Sequence, residues 1–167
     1  MSTTRLSSLP ILALMFFLVS CEDLGTNPWE GWDTYIEFGV SISLPPGAIV
    51  PWLDPGLPAS ARLWLVGDSI WVSMFYSPGQ DSIYAQSRSY YTDATVTKID
   101  VGGWPGDLLS YTVKPLNSRD FPAGLIVFVP RVGNGTNQLF VQVQYMGGRT
   151  TPDLIVRSLR INGGGIK

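Results

Sequence analysis

An all-β body is predicted, a single antiparallel β-sandwich of Ig-like or jelly-roll form with about 8 to 9 strands, placed after an amino-terminal signal segment. Three observations predict it. The 167 residues include 18 Gly and 13 Pro but only 14% charged residues, a balance that suits short strands and turns better than long amphipathic helices. Short runs rich in β-branched and aromatic residues recur between clusters of Gly, Pro, Asn and Asp, the pattern of strands punctuated by turns. Beyond the amino terminus no segment sustains a 3.6-residue apolar period over three turns, and no internal repeat is visible, which argues against a bundle or a solenoid.

Arg5 provides a minimal positive start, and Leu9 to Val19 form an apolar stretch interrupted only by Pro10, the layout of a secretory signal. The stretch is shorter than the roughly 20 residues a membrane-spanning helix requires. Leu18-Val19-Ser20-Cys21 follows, with a branched apolar residue three positions before the sole cysteine and a small residue directly before it. These four residues resemble the lipobox of bacterial lipoproteins. The resemblance implies cleavage between Ser20 and Cys21, a diacylglycerol thioether on Cys21, and acylation of the new amine. At about 0.8 kcal/mol per buried methylene, two or three acyl chains fix a protein to a bilayer. It also explains an odd cysteine count in an exported chain.

In enterobacterial lipoproteins an Asp after the cysteine causes inner-membrane retention. Here that residue is Glu22, so the resemblance implies the outer membrane, with the periplasmic or surface face left open. Glu22-Asp23 also resembles the acidic surface-export signal of Bacteroidota lipoproteins, or serves as a plain solvated start. The division is then 1-20 signal peptide, 21-33 lipidated cysteine and short tether, 34-162 β-sandwich, and 163-167 flexible tail. Removing the signal leaves 167 − 20 = 147 residues, enough for one domain with a real core.

The tether contains Gly, Asn and Pro without periodicity, as a linker does. Its Trp29 and Trp32 suit either the headgroup region or the base of the core. Tyr35 to Leu44 alternates throughout, with Ile36, Phe38, Val40, Ile42 and Leu44 on one side, and is predicted as a single half-buried strand. Pro45-Pro46-Gly47 ends it, and three prolines make 51–58 a loop. Arg62 to Val66 and Ser69 to Tyr76 read as a hairpin turning at Gly67-Asp68. In that register Leu63, Leu65, Ile70, Val72 and Met74 share one face, and Trp64, Val66, Trp71 and Phe75 the other. Further strands are predicted over 82–88, 94–101, 108–114, 125–130, 138–146 and 154–161, with Gly133-Asn134-Gly135 as a tight hairpin turn. Thr151 with Pro152 could open a short helix, but Leu154, Val156, Leu159 and Ile161 also fit a bulged strand, which is the reading adopted.

Chemistry is sparse. There is no histidine, which removes Ser-His-Asp and Cys-His systems and the usual zinc ligands. Gly102-Gly103-Trp104-Pro105-Gly106 lacks the lysine of a phosphate loop and reads as a turn. Glu22, Glu30 and Glu37 are the only glutamates, a thin stock for paired carboxylates. Asp100 and Asp107 do not stand in a calcium-loop pattern. No cofactor or metal is expected. The mature body carries 10 − 13 = −3 charges once Arg5 leaves with the signal. It has no basic stripe, which excludes nucleic acid as a partner.

Aromatic residues, 12% of the chain, are the remaining binding signal. Trp52 and Trp104 sit in Pro- and Gly-bounded loops, and Tyr84, Tyr90 and Tyr91 lie in or beside a polar strand. They suit ligand contact or capping of the sandwich ends. The sequence thus points to a non-catalytic, membrane-anchored envelope lipoprotein whose sandwich binds or assembles with another envelope protein. A glycan-binding module using the loop aromatics is the alternative, and a carboxylate or calcium-assisted hydrolase the distant third.

Overall fold

The computed structural model describes residues 27–50, 61–78, 91–113, 121–132 and 137–162. In chain order the elements are β1 (Asp33–Glu37), β2 (Val40–Leu44), β3 (Ala61–Val66), β4 (Ile70–Pro78), β5 (Thr92–Asp100), β6 (Pro105–Thr112), β7 (Ala123–Val132), β8 (Asn137–Tyr145), α1 (Thr150–Ser158) and β9 (Arg160–Ile161). They form two antiparallel sheets, one of three strands in the order β1-β2-β9 and one of six in the order β3-β4-β8-β7-β6-β5. The described residues are therefore mostly β, with one helix among them. Among the described residues no helix is long and apolar enough to cross a membrane.

The main core lies between the two sheets and α1. Val40, Ile42 and Leu44 of β2 meet Val72 and Met74 of β4, Leu125 and Val127 of β7, and Val141 and Val143 of β8. All nine are fully buried, each contributing about 1.5 to 3 kcal/mol of apolar burial. Alternation carries the other side chains of the six-stranded sheet to its far face. There Leu109, Tyr111, Ile126, Phe128 and Phe140 form a second buried cluster. Cross-strand register aligns Phe75, Phe140 and Phe128 in one row over β4, β8 and β7. The first two rings meet edge-on at 6.1 Å.

Three expectations are overturned, each for a local reason. The predicted strand over 35–44 is a hairpin. Phe38 and Gly39 both take positive φ, 54° and 74°, the geometry of a tight two-residue turn. The chain reverses there and Ile36 is left 65% exposed. Phe38 tolerates a conformation bulky residues avoid because its ring stacks on Tyr76 at 6.0 Å and lies under the Arg62 guanidinium at 4.6 Å.

The β3–β4 hairpin is present, but its register pairs Val66 with Ile70 and Trp64 with Val72. The loop thus has three residues, Gly67-Asp68-Ser69, with Gly67 at φ 55°. One added loop residue slips the register by one and flips a strand's faces. It is Trp64, not Leu63 or Leu65, that shares the core face with Ile70, Val72 and Met74.

The predicted final strand over 154–161 is α1 followed by the two residues of β9. Pro152 is the third helical residue, inside the first turn where a missing N–H costs nothing. Pro152, Ile155 and Ser158 recur at a spacing of three and form the buried stripe, whereas a strand would have buried Leu154 and Val156 together. Leu159 leaves the helix in an extended conformation, and Arg160–Ile161 then pairs with Ser41 and Val40.

Candidate functional site

Of the residues the sequence singles out, Tyr91 and Trp104 lie in the described structure. Ser20, Cys21, Trp52, Tyr84 and Tyr90 lie outside the described residues, as do the strand predicted over 82–88 and the turn at Gly133-Asn134-Gly135. Tyr91 and Trp104 are not brought together. They stand at opposite ends of β5, about 30 Å of strand apart. Tyr91 packs on the second cluster and Trp104 on the main core.

Around Tyr91 the six-stranded sheet builds a polar aromatic cluster on its far face. Tyr111 of β6 lies face to face with Tyr91, ring centroids 3.6 Å apart and planes 16° from parallel. Gln142 of β8 donates from Nε2 to both phenol oxygens, at 2.7 Å to Tyr111 and 3.1 Å to Tyr91. The strand between them makes this possible. Register places Gly124 of β7 directly between Tyr111 and Gln144, and a Cβ on Gly124 would overlap the Tyr111 ring. Only a residue without a side chain lets the ring cross β7 to reach β8. Tyr111 is 2% exposed, and burial raises its phenol pKa far above the ordinary value, with Tyr91 adding to the rise and the Gln142 hydrogen bond opposing it. Tyr111 is thus kept as the neutral phenol. The cluster brings two stacked phenol rings and one amide together on the far face of the sheet.

The sequence reading named Tyr91 but missed Tyr111, Gly124 and Gln142. A signal was present: an isolated Gly beside a strand pattern marks close approach of another group, and Gly124 directly precedes the run predicted to start at Leu125.

At the other end of β5, the turn expected over residues 102–106 is confined to Gly102 and Gly103, φ 63° and 91°, because Val101 and Trp104 already exchange hydrogen bonds and β6 begins at Pro105. Asp100 accepts a hydrogen bond from the Gly103 N–H at 2.7 Å. The turn rests on β9, a Cβ on Gly102 standing 3.3 Å from the Ile161 nitrogen. Between this turn and the end of α1 lies a cleft of about 250 Å³ floored by Ile99, Val101, Leu108 and Leu159, with Asp100, Arg157 and Arg160 at its margin. Arg160 Nη1 donates to the carbonyls of Arg157 and Leu159, both at 2.7 Å, so this guanidinium closes the helix carboxyl end. Among the described residues no group of three or more His, Cys, Asp or Glu is placed to hold a metal.

With this geometry defined, comparison with known proteins shows the fold. No protein-family model matches the chain, and no curated protein matches it. Solved structures do. The solution structure of cyanobacterial PsbP (CyanoP) from Synechocystis sp. PCC 6803 is similar over 86% of this chain and 98% of that one, with 14% identity and a TM-score of 0.54. The Saccharomyces cerevisiae Ran-binding protein Mog1p is similar over 78% of this chain and 95% of its own, with 8% identity and a TM-score of 0.50. A crystal structure from Bacteroides thetaiotaomicron VPI-5482 matches 78% of this chain with 12% identity and a TM-score of 0.51, and this chain covers only 48% of that protein. These likenesses show a shared fold.

Proposed function

We propose that the protein is a non-catalytic bacterial lipoprotein, held in the cell envelope by acyl chains on Cys21, whose β body binds or helps assemble another envelope protein. The observation that carries the anchor is the Leu18-Val19-Ser20-Cys21 run at the end of an apolar stretch, with the sole cysteine at its last position. The outer membrane is the proposed address, following Glu22. An Ig-like or jelly-roll grouping of the two sheets belongs to the same proposal and is supported by their antiparallel pairing.

Support for a protein partner comes from the fold, since one structure sharing it is described as a Ran-binding protein. The buried Tyr111, stacked on Tyr91, and the sparse carboxylates suit recognition rather than acid-base chemistry. A glycan reading has less support. Of its five aromatic residues, the two described stand at opposite ends of β5 and pack on different clusters.

Two measurements test the proposal. Cys21→Ser should abolish metabolic labelling with a fatty-acid analogue and move the protein from the membrane pellet to the soluble fraction. A variant that is still processed at the same bond and still pellets would remove the anchor. Crosslinking in intact cells followed by mass spectrometry should recover a defined envelope protein; polysaccharide alone would sink the binding role.

A further inference from the structure

The cleft between the β5–β6 turn and the end of α1 combines an apolar interior with a charged rim. Val101 and Leu159, 3% and 1% exposed, are its most deeply buried lining, and Leu108 and Val156 are half-buried beside them. Backbone contacts fix its shape. Val101 and Trp104 exchange the hydrogen bonds that close the turn, and Gly102 stands against the backbone of Arg160 and Ile161. A ligand therefore does not have to organise the cleft before entering it, which favours binding.

The rim is cationic on a chain whose formal net charge is −2. Arg157 and Arg160 share it with one carboxylate, Asp100, whose Oδ1 accepts from the Gly103 N–H at 2.7 Å. The carboxyl end of a helix ordinarily disfavours an anion. Here Arg160 Nη1 donates to the carbonyls of both Arg157 and Leu159, which covers that negative end. The same bonds hold the guanidinium at the cleft, with Nε and Nη2 as further donors.

Size narrows the ligand. A volume of about 250 Å³ is below the roughly 300 to 1,000 Å³ of sites that enclose a drug-sized molecule, and above the roughly 150 Å³ that holds a benzene ring. There is room for one branched or aromatic side chain with a small polar group. A bare phosphate would leave the apolar lining against water, whereas a carboxylate joined to an apolar group suits both lining and rim.

We propose that this cleft captures the carboxyl terminus of a partner chain that ends in a large apolar residue such as leucine. A terminal residue carries its carboxylate and its side chain on the same carbon, so both enter a cleft of this size together. The side chain packs on Val101 and Leu159, and the carboxylate takes charge-assisted hydrogen bonds from Arg157 and Arg160. The inference rests on the reading of the body as a protein-binding module and is independent of the lipid anchor.

The test titrates short peptides ending in leucine into the full chain carrying Cys21→Ser, followed by backbone amide shifts. The free acid should shift Val101, Val156 and Arg160, and the same peptide as its terminal amide should bind about 10-fold more weakly, having lost the charge-assisted bonds. Adding Arg157→Gln should weaken the acid by about the same factor with an unchanged circular dichroism spectrum. Arg149→Gln, the same charge change two turns earlier on α1, should leave it unaltered. Equal affinity for acid and amide, or equal loss in the two arginine variants, would overturn the site. Hexanoate binding as tightly as the peptide would assign the cleft to a free acid and overturn capture of a chain terminus. In intact cells Arg157→Gln should reduce recovery of the crosslinked envelope protein several-fold. Recovery at the wild-type level would remove the cleft from the interface while leaving the binding role in place.

Discussion

At the scale of single residues, two positions carry more of the fold than their size suggests. Gly124 is one, because the Tyr111 ring occupies the space where a Cβ would be. Gly124→Ala should destabilise by about 1 to 3 kcal/mol through overpacking, measured by urea unfolding. Adding Tyr111→Ala should make the alanine at 124 nearly neutral, since the overlapping ring is gone. Tyr111 itself predicts an alkaline response. Its phenol is raised above the ordinary value of about 10 by burial, so below that pH folded and unfolded chains both keep the proton and its contribution is fully present. As pH rises past 10 the unfolded chain ionises while the folded one does not, and stability falls. Tyr111→Phe should make this alkaline fall shallower, as read from unfolding midpoints between neutral pH and pH 11. Phe38 is the second position. Its positive φ disfavours any side chain by about 1 to 2 kcal/mol, and the contacts with Tyr76 and Arg62 offset that. Phe38→Ala loses the contacts and keeps the strain, whereas Phe38→Gly loses both. The glycine variant should therefore be the more stable of the two by about 1 kcal/mol, the reverse of the order found in an ordinary strand.

At the scale of elements, α1 and β9 together complete the small sheet. β9 bonds β2 only at Val40 and Ser41, so farther along β2 the donors on that side need another partner. Ser158 supplies it. Its Oγ accepts from the Ser43 N–H at 2.9 Å and donates to the Ile155 carbonyl at 2.6 Å, a side chain continuing what the two-residue strand leaves off. Ser158→Ala should cost about 0.5 to 1.5 kcal/mol by removing the acceptor of the part-buried Ser43 N–H, with faster amide exchange at Ser43 than at Val40. Much of this level was legible in the sequence and some was not. The β5–β6 turn and the strands near 94–101, 108–114, 125–130 and 138–146 were readable because alternation and turn residues act locally. The reversal at Phe38-Gly39 was hidden, because a two-residue turn in an alternating run leaves the apolar pattern intact. The β3–β4 faces depended on a single loop residue, which periodicity cannot count. The helix at 150–158 carries a stripe too short to separate from a bulged strand until Ile155 is seen packed against β2. The tyrosine cluster required knowing that β6, β7 and β8 are neighbours, which no local pattern states.

At the scale of the whole molecule, the amino-terminal segment belongs partly to the body. Trp29 donates from Nε1 to the Leu154 carbonyl of α1 at 3.0 Å, and Trp32 packs against the main core. Backbone turns from Asn27 to Glu30 and from Trp29 to Trp32 close the segment down onto the domain. Only the residues before Trp29 then separate the body from the proposed anchor. The 28 − 21 = 7 residues between Cys21 and Trp29 reach about 24 Å when extended and about 14 Å as a flexible coil. The bond from Trp29 joins sequence positions 125 apart, so it ties the start of the domain to its last helix. It should therefore act on the global unfolding equilibrium as well as on local fraying. Trp29→Phe keeps most of the ring and removes the donor. It should cost about 0.5 to 1.5 kcal/mol and leave the amino-terminal segment docked. Trp29→Ala should cost about 1 to 3 kcal/mol and release it. Limited proteolysis separates the two: cleavage between residues 22 and 32 should accelerate markedly in Trp29→Ala and only slightly in Trp29→Phe, while β7 and β8 stay protected in both. Equal cleavage in wild type and Trp29→Ala would show that Trp32 and the backbone turns hold the segment without the indole.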